Sequence, residues 1–270
     1  MVQVVYTKEQ GLKQQGGAAS FEIPNNITIG HPINQTVTGN TVATVNFAGI
    51  LHKQAPGDAA NEINLDGKFM SFRTAEGSQF YVYFDPNDDG AADPAPGGTG
   101  IEITSPDASL DSAAKIVDEL VIALNANAVW NKEFLAIDAG DAIDIASLRM
   151  GASGSIVGLG TLSNMLAGDG TTLVSPTLAT VQGEGSHIID GLGFSQVRDA
   201  VAGGAHESFV VINNLQTGKN HGVQKIIVSK LPENVEVYNS DKSALLGTLA
   251  VGSESLHLVW NGSSWKNIHN

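Results

Sequence analysis

Hydrophobic and polar positions change period several times between residues 65 and 148, and this stretch organises the rest of the chain. Asp66-Gly67 is a turn dipeptide. Lys68-Phe69-Met70-Ser71-Phe72-Arg73 then alternates polar and apolar, which predicts a strand with Phe69 and Phe72 inward. After Gly77-Ser78, the run Gln79-Phe80-Tyr81-Val82-Tyr83-Phe84 is dense in aromatic and β-branched residues and predicts a second strand. Residues 85–100 hold three prolines and four glycines and predict a loop, followed by a short strand at Ile101-Glu102-Ile103.

The period then becomes helical over residues 105–127. Leu110, Ala113, Ala114, Val117, Leu120, Val121 and Leu124 recur at steps of three and four and form one apolar stripe. Pro106 fixes the entry, Ser109 suits the N-cap, and Asp107 and Asp111 suit the positive end of the helix dipole. A helix with one apolar face beside strands is expected to lie across a sheet. Phe134-Leu135-Ala136-Ile137 and Ala142-Ile143-Asp144-Ile145 flank Asp138-Ala139-Gly140-Asp141, which predicts a hairpin.

Outside this stretch the pattern is β-like and more broken. Val2 to Tyr6, with Val4 and Tyr6 on it, is a strand that pairs with a neighbour, or else a frayed terminus. Residues 21–45 read as short β pieces, either an arm that adds strands to another subunit or an edge sheet of the same domain. Residues 149–172 are rich in Gly and Ser, with a short helix expected around residues 159–166. Leu178 to Val181 predicts a strand, and residues 194–201 a short helix. Beyond residue 205, strands are expected at residues 209–212, 225–228, 235–238, 256–260 and 265–268, with Asn261-Gly262-Ser263-Ser264 turning the chain between two tryptophans. The expected fold is α+β and mostly β: a sheet with one packed amphipathic helix, plus a small C-terminal β-sandwich or barrel. The expected division is residues 1–47 (arm and short strands), 48–204 (β/α core with a Gly-rich extension) and 205–270 (C-terminal β domain).

The order Asp66-Gly67-Lys68-Phe69, Phe80-Tyr81-Val82-Tyr83-Phe84-Asp85, Asp93-Pro94-Ala95-Pro96, Gly98-Thr99-Gly100-Ile101-Glu102-Ile103 and Asp111-Ser112-Ala113-Ala114 resembles a small module that recurs in head and tail structural proteins of tailed bacteriophages. Trp260-Asn261-Gly262-Ser263-Ser264-Trp265 likewise resembles the ends of small C-terminal β modules in phage tail and fibre proteins. The resemblance implies a virion structural protein and no particular place in the particle. A head decoration or outer-surface subunit is the first expectation and a tail or fibre component the second. A carbohydrate- or receptor-binding module is the alternative of a different class. The acidic loop at residues 85–89 departs from the module.

Charge sharpens the functional reading. The net charge is −14, and residues 205–270 carry five acids and five bases, so the whole excess lies upstream. No basic cluster exists to neutralise a phosphate backbone, which argues against nucleic-acid binding. There is no cysteine, so disulfides and thiolate chemistry are excluded. No apolar run approaches the ~18 residues of a membrane helix. The N-terminal stretch lacks the pattern of a signal peptide. A protein assembled in the host cytoplasm and carried in the virion is expected, with other copies of itself and other virion proteins as partners and a host-surface glycan under the alternative.

Candidate chemistry is sparse, and no enzyme or cofactor is expected. Asp85-Pro86-Asn87-Asp88-Asp89-Gly90 matches the start of a calcium loop, with Asp85, Asn87, Asp89 and Asp93 as oxygen ligands for Ca²⁺, but Pro96 stands where the bidentate glutamate belongs. The seven histidines show no HExxH spacing. Gly151-Ala152-Ser153-Gly154-Ser155 misses the nucleophile elbow by one place. Tyr238, Trp260, Trp265 and Trp130 are candidate aromatic anchors for a partner or a sugar, with burial in a C-terminal core expected for at least two of the four.

Overall fold

A computed structural model describes residues 3–7, 11–15, 33–50, 65–88, 90, 92–106, 110–163, 165–166, 172–200, 206–218, 220–230, 233–251 and 255–268. The chain divides into two compact units, Met1–Pro32 and Ile33–Asn270. In the first, β1 (Gln3–Thr7) and β2 (Gly11–Gln15) pair as an antiparallel hairpin.

The second unit is mostly β with one α-helix. In chain order its elements are β3 (Ile33–Thr38), β4 (Asn40–Asn46), β5 (Phe69–Arg73), β6 (Gln79–Phe84), β7 (Thr99–Ile103), α1 (Ala113–Ala126), β8 (Phe134–Asp138), β9 (Ala142–Met150), β10 (Val157–Gly158), β11 (Met165–Leu166), β12 (Leu173–Val174), β13 (Thr177–Val181), β14 (Ile188–Ile189), β15 (Phe194–Arg198), β16 (Ser208–Ile212), β17 (Gln224–Lys230), β18 (Val235–Asn239), β19 (Leu245–Leu249), β20 (Ser255–Trp260) and β21 (Trp265–Asn267). One sheet runs β13-β4-β9-β16-β18-β19, with β8 added on β9 and β14 on β16. A second runs β21-β20-β17-β15-β3, and a third β10-β5-β6-β7.

Two large apolar cores, and a small third one of Leu148, Phe209 and Val211, follow from this layering. In the first, the helix residues Ile116, Val117, Leu120 and Leu124 meet Met70 and Phe72 of β5, Phe80, Val82 and Phe84 of β6, and Ile143 and Ile145 of β9. Asn125 fixes the helix to the edge strand β8: its amide nitrogen donates to the Ala136 carbonyl at 2.8 Å and its oxygen accepts the Ala136 N–H at 3.0 Å. In the second core, Val210 and Val237 from the first sheet pack against Ile227, Leu258, Trp260 and Trp265 from the second.

Several expectations need correction. The helix begins at Ala113, with Ser112 as N-cap accepting the Lys115 N–H; the expected cap Ser109 lies outside the described residues. Ile116, left out of the stripe, is fully buried. On β5 it is Met70 and Phe72 that share the inner face, with Phe69 half-buried, because side chains two apart lie on one face. Residues 194–198 form β15 rather than a helix, and where a helix was expected around residues 159–166 the chain makes a turn at 160–161 and then β11. β15 lies between β3 and β17 and both of its ladders are parallel, so long-range pairing overrides its local pattern. The expected divisions at 47/48 and 204/205 cut through shared sheets: β4 pairs with β9 and β13, and β3 joins β15, which joins β17. Residues 21–32 of the expected arm lie outside the described residues, whereas residues 33–46 form strands inside these sheets.

A seam of glycines lets three backbone segments approach. Gly151 donates to the Gly39 carbonyl at 2.6 Å, Ala152 donates to the Gly185 carbonyl at 2.9 Å, and Thr38 and Glu184 exchange two hydrogen bonds. A Cβ on Gly151 would stand 2.4 Å from the Gly185 carbonyl oxygen, at a φ of +84°. Gly151→Ala is therefore expected to cost roughly 1–3 kcal/mol through left-handed strain and overpacking. Urea denaturation checks this, with Gly140→Ala, at a positive φ in open space, as a control for the strain alone.

Candidate functional site

Three strands and two turns converge on a cavity of about 490 Å³. Phe209 on β16 and Tyr238 on β18 form its aromatic floor, ring centroids 6.1 Å apart at 87°. Parallel pairing of these strands sets Phe209 opposite Glu236 and Val211 opposite Tyr238, so the two rings meet on one face. Leu148 of β9 adds an apolar wall. His206 and Glu207 border the cavity just before β16. Glu133 enters from the 3-10 turn Trp130–Lys132, and Lys242 from the turn between β18 and β19.

Lys242 is held by its turn. Its backbone sits at φ +58°, Asn239 caps the turn by accepting the Ala244 N–H, and Asp241 accepts from Ser243. The ammonium lies 3.5 Å from the Phe209 ring centroid, donates to the Lys132 carbonyl at 3.0 Å, and stands 3.5 Å from Oε1 of Glu133. A cation over an aromatic face is held by the ring quadrupole, more strongly when partly desolvated.

Beneath the cavity lies an ionic chain that runs from the largely buried Glu133, Arg149 and His187 out to the half-exposed Glu76. Arg149 donates through Nε at 2.9 Å and Nη2 at 2.8 Å to Oε2 of Glu133, and its guanidinium carbon is 5.4 Å from the Phe209 centroid. Its Nη1 pairs with Glu76, whose Oε1 is also 2.7 Å from Nε2 of His187. Burial dominates the titration of these groups. It pushes Glu133 up, with Lys242 pulling it partly back, and lowers Lys242. It brings Arg149 down to about 10, still charged at neutral pH. Burial, then Arg149 and Lys242, holds His187 at about 4, so it is neutral and donates Nε2–H to Glu76. Two carboxylates thus face two cations, and the chain is internally compensated.

The rim is different. Glu207 accepts from the Asn234 amide at 3.0 Å, and Glu236 accepts the Tyr238 hydroxyl at 2.5 Å. Neither makes an ion pair among the described residues. Burial, and then the Glu236 hydrogen bond, raises the Tyr238 phenol to about 12, so it remains a donor.

The residues expected from sequence are scattered. Trp260 and Trp265 are core residues, 0 % and 2 % exposed and 5.4 Å apart, so neither serves as a surface or sugar anchor; Trp130 is also fully buried. Tyr238 lines the cavity described above, and the buried Trp265 borders a second one of about 450 Å³ beside β19 and β21. Val4 and Tyr6 lie on β1 opposite Gln14 and Leu12. Of the Ca²⁺ candidates, Asp89 lies outside the described residues, Asp85 is buried at 2 % exposure, and both carboxylate oxygens of Asp93 accept the Tyr81 hydroxyl, at 2.7 and 2.8 Å. Among the described residues no three His, Cys, Asp or Glu side chains gather around a metal position. Sequence reasoning missed Arg149, Glu133, Glu76, His187 and Lys242. The one available signal was an arginine inside the apolar run that ends β9.

A second buried cation sits on the β21-β20-β17-β15-β3 sheet. Lys225 on β17 is fully buried and donates at 2.8 Å both to the Leu192 carbonyl and to Ser195 Oγ. Burial lowers it to about 8. The folded state therefore binds fewer protons than the unfolded state between pH 8 and 10.5, and this group alone makes stability rise with pH across that window. Lys225→Met is expected to flatten that rise; denaturation at pH 7.5 and 9.5 compares the two slopes.

Comparison with protein-family models, curated proteins and solved structures finds no match to this chain.

Proposed function

We propose that this chain is a structural subunit of a tailed-phage particle and works by protein–protein assembly, with a head decoration or outer-surface position ahead of a tail or fibre position. The observation that carries the reading is the ordered module of residues 66–114, which resembles one that recurs in such particles. Two features of the fold support assembly as the mechanism. All five residues of β13 are exposed, including Leu178 and Val181, and among the described residues the strand pairs with β4 alone. An unpaired strand edge with apolar side chains is a template for a strand from another chain. The cavity between β16 and β18, for its part, carries at its rim Glu207 and Glu236, which form no ion pair among the described residues.

Light scattering on the purified chain tests this reading. Species larger than the 28.1 kDa monomer are expected, and they should shrink when Val181 is replaced by lysine on the open edge. A stable monomer with turnover of a substrate would overturn it. Imaging of an intact particle with this chain located in it then places the subunit.

A further inference from the structure

We infer that the cavity floored by Phe209 and Tyr238 receives one basic side chain, arginine or lysine, from a neighbouring protein of the assembly. The inference names the partner chemistry of the candidate site and rests on the assembly reading for the source of that side chain.

The protein already carries out this recognition once, on itself. Lys242 places its ammonium 3.5 Å from the Phe209 centroid and 5.8 Å from the Tyr238 centroid, with Glu133 and a carbonyl completing its shell. That internal cation is neutralised below by Glu133, which also serves Arg149. The 490 Å³ of the cavity remains open with Lys242 in place. At its rim Glu207 accepts from the Asn234 amide and Glu236 from the Tyr238 phenol, and neither forms an ion pair among the described residues. Two rim carboxylates in no ion pair among the described residues, beside a half-buried tyrosine face, attract a guanidinium or ammonium through charge-assisted hydrogen bonds and the ring quadrupole. An anion would meet those same carboxylates and be repelled. A neutral apolar group would desolvate them without compensation. Arginine suits the site best, because its planar fork bonds a carboxylate while its face stacks on a ring.

The test uses the full chain at a concentration where light scattering reports its smallest species. Nα-acetyl-arginine amide is titrated with Nα-acetyl-norleucine amide as the uncharged control, and binding is followed by NMR shifts of Phe209, Tyr238 and their neighbours. Saturable shifts from the arginine probe and none from the norleucine probe are expected. Lys242→Met removes the internal competitor and should tighten binding several-fold. Lys115→Met makes the same change of charge on the α1 surface and should leave it unchanged. Glu207→Gln combined with Glu236→Gln should weaken binding by about tenfold or more. If the double variant does not fold, Glu207→Gln alone decides, since the glutamine oxygen can still accept from Asn234. Equal shifts from both probes, equal effects of the two lysine variants, or indifference to the loss of the carboxylates would overturn the inference. An oligomer whose smallest species ignores the arginine probe loses this site alone. A monomer that binds the probe keeps the site and loses the assembly reading.

Discussion

Trp130→Ala is expected to lower stability by about 3–5 kcal/mol. Trp130 is fully buried in the 3-10 turn that follows α1. Its ring lies 5.5 Å from Phe72 at 73° and 5.4 Å from Phe134, so it joins the β5–β6 layer to the β8–β9 hairpin beneath the helix. Truncation opens a cavity between two layers held apart by other aromatic rings, which limits collapse. Trp130→Phe separates packing from polarity. The Trp130 Nε1–H is buried with no acceptor among the described residues, so phenylalanine loses volume but also removes an orphaned donor. The phenylalanine variant is expected to cost roughly 1 kcal/mol. Urea melts of both variants check this, and a similar loss in the two would show that the indole N–H is satisfied in solution.

How much of this was legible from sequence depends on the range of the interaction. The β5–β6 strands, the loop after them, β7 and the β8–β9 hairpin were read correctly because turn chemistry and period act locally: Gly140 sits at φ +79° and Asp138 accepts its N–H, as the Asp-Ala-Gly-Asp run implied. The two tryptophans around residues 261–264 were placed on paired strands for the same reason, with the Asn261 side chain accepting the N–H groups of Ser263 and Ser264. Sheet membership was not legible. β3 and β15 meet across more than 150 residues in parallel register, and nothing in either strand marks its partner. β19 was missed because Leu245-Leu246-Gly247-Thr248-Leu249 carries an internal glycine and has only one fully buried residue. A Cβ at Gly247 would stand 2.6 Å from the Leu256 Cδ1, so any larger residue there must push that side chain aside. The ionic site was invisible because its members lie at residues 76, 133, 149, 187 and 242, one from each of five separate segments. Charged residues in strands and turns read as solvated unless the fold is known to bury them.

Arg149→Met is expected to destabilise the protein by about 2–4 kcal/mol at neutral pH, because it leaves the largely buried Glu133 with Lys242 alone, while the half-exposed Glu76 regains solvent and adds little. Glu133→Gln in the same background should recover part of the loss, and the resulting double-mutant cycle measures the coupling directly. The pH dependence gives a stricter test. Glu133 already titrates above its ordinary range through burial, and loss of the guanidinium that bonds its Oε2 is expected to raise it further. A carboxyl with a raised folded pKa contributes stability that is fully present below its unfolded pKa and is lost as pH rises through the folded one. His187 acts in the same sense. At about 4 in the native protein it costs stability as pH falls from 6.5, and removing Arg149, one cause of that depression, lessens the cost. Both groups therefore make the deficit of Arg149→Met smaller at pH 5 than at pH 7.5. A deficit that stays constant between those two values would show that Arg149 acts through the packing of its methylenes against Phe209 rather than through charge.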